Sequence, residues 1–209
     1  MELSKQRLEA FSDGVIAIII TIMVLSIPLP DDFDSNSVMK LMYSFFVYFI
    51  SFIVVGSFWV QHHRIFSYID KVTGKILTLN LLYLFFLSLI PILTKWVMQN
   101  PGEIIPAIGY DIAYLVVNIT YVFIFHHVVH CSKHEMMKRF KSEHIKENRW
   151  KSKSNPTMKF SLIRFSSPII VLGSIIVSFY WPGVSTIFLL GVPVVVSVIS
   201  LLFDEQKRK

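Results

Sequence analysis

The chain has 209 residues, of which 54% are hydrophobic, 14% aromatic and 16% charged, with a mean hydropathy of +0.59. That balance excludes an ordinary soluble domain and makes the apolar span of about 20 residues the unit of reading. The net charge of +6 does not point to nucleic acid, because the basic residues sort by loop, and a lone cysteine, Cys131, excludes an intrachain disulfide.

The first expected span covers 12–29. A polar stretch, Arg7-Leu8-Glu9-Ala10-Phe11-Ser12-Asp13-Gly14, opens it, and Pro28 and Pro30 stop it. Turned at 100° per residue, Phe11, Gly14, Ile18, Thr21, Ile22, Leu25 and Leu29 share one face, while Ser12 and Asp13 point off it. The helix therefore carries an apolar stripe with one hydroxyl in it and a separate polar foot aimed at other helices. Asp13 at its start and the lack of a small-x-small site before Pro30 argue against a cleavable signal.

The second span, 41–61, is rich in Phe, Tyr and Val and ends at Trp59, His62, His63 and Arg64, an aromatic and basic end suited to the membrane interface. The third, 76–94, holds Asn80 near one end and Pro91 near the other; the fourth, 104–127, holds Asp111, Asn118 and Thr120. A basic stretch, 128–159, leads to a fifth span at 162–181 and a sixth at 184–203, joined by Trp181-Pro182-Gly183. With this division 18 of the Lys and Arg residues fall on one side of the membrane and two, Lys40 and Lys95, on the other. The positive-inside rule then puts both termini and the 128–159 loop in the cytoplasm and makes the span number even. The fold expected is an all-α integral membrane protein of six transmembrane helices in a single repeat.

A buried carboxylate near a helix end needs partners. Arg7, Trp59, His62, His63 and Asn80 lie at the depth of Ser12 and Asp13 and can supply them. No Gly-x-Ser-x-Gly, P-loop or carboxylate pair within a span points to an enzyme. His126, His130 and His134 follow i, i+4, i+8, a spacing that can chelate zinc or copper on a helix, but a polar face leaving the membrane is the favoured account of it. No carbonyl filter sequence and no regular arginine series are present, so an ion path would have to use apolar and hydroxyl side chains. Two other functions stay open on the residues: a proton-coupled secondary transporter using Asp13 or Asp111, and a metal-responsive membrane protein centred on the histidines.

Arg7-x-x-x-Phe11-Ser12-Asp13-Gly14, with Ala17, Ile18 and Thr21 after it, resembles the signature of the endolysosomal potassium channel family, transmembrane protein 175, and its prokaryotic homologues. The similarity continues through Trp59-x-x-His62-His63-Arg64 and Leu79-Asn80-Leu81 to Pro91. The resemblance implies a homotetramer in a prokaryotic plasma membrane, with helix 1 of each copy lining a central pore that passes potassium and needs no bound cofactor. It implies constriction by Ile18, Ile22 and Leu25, a selectivity contribution from Thr21, and a structural brace of Arg7, Phe11, Ser12, Asp13, Trp59, His62, His63 and Asn80. The histidine cluster lies outside the resemblance.

Overall fold

A computed structural model describes residues 4–143 apart from 33, 68, 70 and 71, and the backbone alone over 129–143. Its described part is helical: α1 (Lys5–Leu25), α2 (Ser35–Phe66), α3 (Gly74–Leu87), α4 (Ile90–Gln99) and α5 (Ile104–Glu143). Four stretches are long and apolar enough to cross a membrane: Lys5–Leu25, Ser35–Phe66, Gly74–Gln99 and Ile104–Val128. The expected fifth and sixth spans lie outside the described residues.

Helix α1 begins earlier than its apolar run. Ser4 caps it by accepting from the Arg7 N–H, so the charged signature is itself helical. It ends at Leu25 rather than Leu29: Pro28 restricts the residue before it, and the chain turns at Ser26. Leu8, Ser12, Ile16, Ile19 and Met23 are its buried residues, spaced three and four apart, a seam that packs on α2, α3 and α4.

Asp34 caps α2 through a 2.9 Å bond from the Ser37 N–H; the Ser37 hydroxyl first, and then this N–H, hold its carboxyl below the usual carboxylate range. At 1.5 Å per residue α2 is about 48 Å long and overruns a hydrocarbon core of about 30 Å. Its buried seam, Val47, Ile50, Val54, Phe58, His62 and Ile65, faces the bundle.

The third span is not one helix. Pro91 has no N–H to give the Leu87 carbonyl, and α3 stops at Leu87 while α4 starts at Ile90. Ser88 and Leu89 bridge them in right-handed helical conformation, with the Ser88 hydroxyl donating to the Phe85 carbonyl at 2.7 Å. A turn at Asn100–Gly102, with Gly102 at φ +83°, then reverses the chain. In α5, Tyr110, Tyr114, Val117, Tyr121, Ile124 and Val128 are buried at alternating spacings of four and three, the seam that meets α3 and α4. Gly109 opens that surface, since a β-carbon there would come within 3.2 Å of the Trp96 ring.

Between apolar side chains in lipid the hydrophobic effect does not discriminate, so close packing and internal hydrogen bonds hold the bundle. Phe58, wholly buried, contacts Tyr83 edge-on at 6.4 Å and Tyr114 at 5.2 Å between centroids. Tyr83 Oη donates to the Phe58 carbonyl at 3.0 Å, satisfying the one polar atom of a fully buried ring. Ser44, Ser57, Thr94 and Thr120 each donate to a carbonyl one turn back in their own helix, so their hydroxyls cost little in lipid.

Candidate functional site

At the end of the bundle where α1 begins, polar residues from three helices meet. Ser12 is 0% exposed; its hydroxyl donates to the Leu8 carbonyl at 2.8 Å and accepts from Asn80 Nδ2 at 2.9 Å. With its amide nitrogen committed to Ser12, Asn80 turns Oδ1 to His62 Nε2, 2.7 Å away. That bookkeeping assigns the imidazole hydrogen to Nε2, since two acceptors cannot bond each other. Phe66 and Tyr83 stack on the two sides of the His62 ring, at 4.3 and 5.5 Å between centroids. Serine, asparagine and histidine thereby link α1, α3 and α2 in a single buried chain of bonds.

A second, more exposed link lies one residue along. Trp59 Nε1 donates to Asp13 Oδ1 at 2.9 Å, and the Trp59 indole stacks on His63 at 5.9 Å. Among the described residues, these are the bonds that tie α1 to its neighbours, and both arise from Ser12 and Asp13. Arg7 and Phe11 are not brought to the cluster. Both are exposed, Phe11 by 52%, on the flank of α1 turned away from Ser12.

Further along α1, the stripe lies open. Ile18 is 58% exposed, Ile22 47% and Leu25 83%, with Gly14 and Thr21 exposed beside them. Burial is greatest on the opposite flank, at Ser12, Ile16 and Met23, so one helix carries a packed side and an unoccupied side. The Thr21 hydroxyl donates to the Ile18 carbonyl at 2.9 Å. With its hydrogen spent on the backbone, that oxygen presents only lone pairs, the form in which a hydroxyl meets a cation. Leu29 lies beyond the helix and does not extend the stripe.

The remaining candidates do not converge. Among the described residues no three His, Cys, Asp or Glu side chains lie close enough to hold a metal ion. His126 is exposed on α5, and the side chains of His130 and His134 lie outside the described residues. Asp111 is 1% exposed within α5 and far in sequence and depth from Asp13. Sequence reasoning missed Phe66 and Tyr83, the two rings enclosing His62. Their signal was available, since 58, 62 and 66 lie one turn apart on α2 and Tyr83 lies one turn after Asn80.

A polytopic helical membrane protein is what this fold and site define, its first helix pinned by a polar signature at one end and bare along the other flank. Residues 7–91 match the family described as "Endosomal/lysosomal potassium channel TMEM175". The chain is similar to a protein of Chryseobacterium sp. (strain P1-3) named as a potassium channel, with 42% identity over 129 residues, covering 62% of this chain and 67% of that one. A second, from Streptomyces collinus and also named as a potassium channel, is 30% identical over 130 residues, covering 58% and 63%. The human protein named endosomal/lysosomal proton channel TMEM175 is 40% identical over 102 residues, 43% of this chain and 20% of that one. In fold, the chain resembles the crystal structure of a lysosomal potassium-selective channel TMEM175 homolog from Chamaesiphon minutus. The TM-score is 0.70 at 23% identity, over 94% of this chain and 97% of that one. The chain belongs to the TMEM175 family. Its matched part spans about two thirds of the bacterial relatives and about a fifth of the human one.

Proposed function

We propose that this protein is a potassium channel of a prokaryotic plasma membrane, assembled as a homotetramer of six-span subunits with both termini in the cytoplasm. Four copies of α1 surround the path, Ile18, Ile22 and Leu25 form its constrictions, and Thr21 supplies oxygens to the ion. The observation that carries this reading is the exposed flank of α1. A span whose apolar face is left uncovered by its own bundle meets lipid, a second copy or an aqueous path, and the bacterial relatives' names favour the last.

The chemistry follows from the side chains. A ring of branched aliphatic groups excludes water from a narrow passage without any charge, so conduction requires wetting or widening. An ion crossing it gives up part of its hydration shell, and the Thr21 oxygens return some of that loss. In this reading Ser12, Asp13, Trp59, His62, His63 and Asn80 brace α1 and do not touch the ion. Arg7 and Phe11, bare in the single subunit, join the brace through a neighbouring copy. The permeant ion is the only small partner required, and the histidines of α5 take no part.

The test is the reversal potential of the purified protein in a planar bilayer under opposed potassium and sodium gradients. A reversal near the potassium equilibrium potential fits; one that follows chloride, or no current under any condition, sinks the proposal. Vertebrate relatives are named as proton channels, and a reversal that tracks an imposed pH gradient would move this chain to that activity instead.

A further inference from the structure

Between α1 and α4 the subunit leaves a cleft of about 400 Å³, in the size range of ligand sites. Its walls are apolar, with Val15, Ile18 and Ile22 on one side and Pro91 and Ile92 on the other. Two serines also line it, but each donates its hydrogen to its own helix, Ser26 to the Ile22 carbonyl at 3.3 Å and Ser88 to the Phe85 carbonyl at 2.7 Å. The cleft therefore makes little polar demand along its length.

Its one charged lining residue is Lys95. Spans one and three run in the same direction through the membrane, so Val15 and Ser88 mark the deep end of the cleft and Ser26 and Lys95 its mouth. Trp96, next to Lys95, is 40% exposed, and an exposed tryptophan near the end of a span sits at head-group depth. Lys95 is exposed and makes no ion pair among the described residues. A cation at head-group depth over an apolar slot is complementary to one kind of molecule in a bilayer: an acyl chain carrying an anionic head.

We propose that this cleft holds an acyl chain of an anionic phospholipid from the leaflet opposite the N-terminus, with its phosphate on Lys95. The charge has a second consequence, which rests on the channel reading above. Ile18 and Ile22 belong both to the cleft and to the stripe, so an uncompensated Lys95 lies close to the path and lowers the local concentration of cations. A phosphate on its ammonium cancels that field. Anionic lipid then raises potassium flux through this residue, beyond what its general surface charge does.

The experiment reconstitutes the full chain in phosphatidylcholine vesicles with or without phosphatidylglycerol. Lipid retained by the intact protein is weighed by native mass spectrometry, and potassium flux is measured in parallel. The parent should retain phosphatidylglycerol over phosphatidylcholine by about fivefold, the factor that one lysine near a membrane surface supplies. Lys95→Gln should erase that preference and leave flux nearly independent of lipid charge. Ile92→Trp, at an exposed position, should fill the cleft and lose the retained lipid with Lys95 still present. Equal retention of the two lipids by the parent, or a preference that survives both substitutions, overturns the proposal. So does an oligomer that Ile92→Trp disrupts with retention unchanged, because a second copy would then occupy the cleft. Absence of flux in every lipid would overturn the channel reading instead, with retention still deciding the lipid site.

Discussion

Asn80 donates to Ser12 at 2.9 Å across the contact between α3 and α1, and both side chains are completely buried. Asn80 also accepts from His62, so it is the middle of the chain of bonds: its loss leaves His62 without that acceptor and Ser12 with only its bond to the Leu8 carbonyl. Asn80→Leu, similar in volume, should cost about 2–3 kcal/mol, since a buried polar group left without a partner costs about 1–3. Ser12→Ala removes one acceptor and leaves the His62 bond, so about 1–2 kcal/mol is expected. Thermal unfolding of the purified protein checks both. A smaller loss for Asn80→Leu than for Ser12→Ala would contradict the assigned order of the bonds.

The Asp13–Trp59 link is more exposed and should be worth less. An asparagine at position 13 keeps an oxygen for the indole N–H, so Asp13→Asn should be mild and Asp13→Leu more severe. A double-mutant cycle with Trp59→Phe isolates the pair, with a coupling of about 1 kcal/mol expected after allowance for solvent access. Zero coupling would mean that the bond contributes nothing to the fold.

Along the stripe, oxygen and bulk should separate. Thr21→Val keeps the volume and deletes the oxygen, so it should shift the reversal potential toward sodium with modest change in conductance. Ile18→Asn and Ile22→Asn should admit water and raise resting leak. Bilayer recordings of the three variants decide; parental behaviour in all of them would remove α1 from the path.

Replacing His126, His130 and His134 together by Gln should leave potassium flux unchanged, because these residues lie on α5, whereas α1 packs on α2, α3 and α4. Flux assays in vesicles with and without a zinc chelator test this. Lost flux, or a chelator effect confined to the parent, would restore a metal site to consideration.

Topology has its own check in Cys131, within the long helix α5. An impermeant thiol reagent should leave it unmodified in intact cells and modify it after permeabilisation. Ready labelling from outside would invert the proposed orientation.

How much of this was legible without coordinates depends on the residue. The first four apolar spans were, because a polar backbone in lipid permits little besides helix, and so was the division of α1 into two flanks, which needs only its period. The pairing of the polar foot was not. His62 and His63 are adjacent and chemically identical, and only the turn of α2 sends one between Phe66 and Tyr83 and the other against Trp59. The break at Ser88–Leu89 was half visible: Pro91 stood in the sequence, but proline is as well suited to begin a helix as to kink one. Arg7 shared a depth with the cluster and still points elsewhere, since depth along a helix says nothing of direction around it.

Among the described residues, the hydrogen bonds of α1 to other helices lie within two residues near its start, Ser12 and Asp13, while its far half meets its neighbours through side-chain packing. Mechanically that is a cantilever, clamped at Ser12 and Asp13 and loaded along its length. From Ser12 to Leu25 the beam is about 20 Å. A tilt of about 10° at the clamp carries Leu25 through about 3 Å and Ile18 through about half as much. The same small rotation at the clamp is thus amplified along the lever arm and is largest at Leu25.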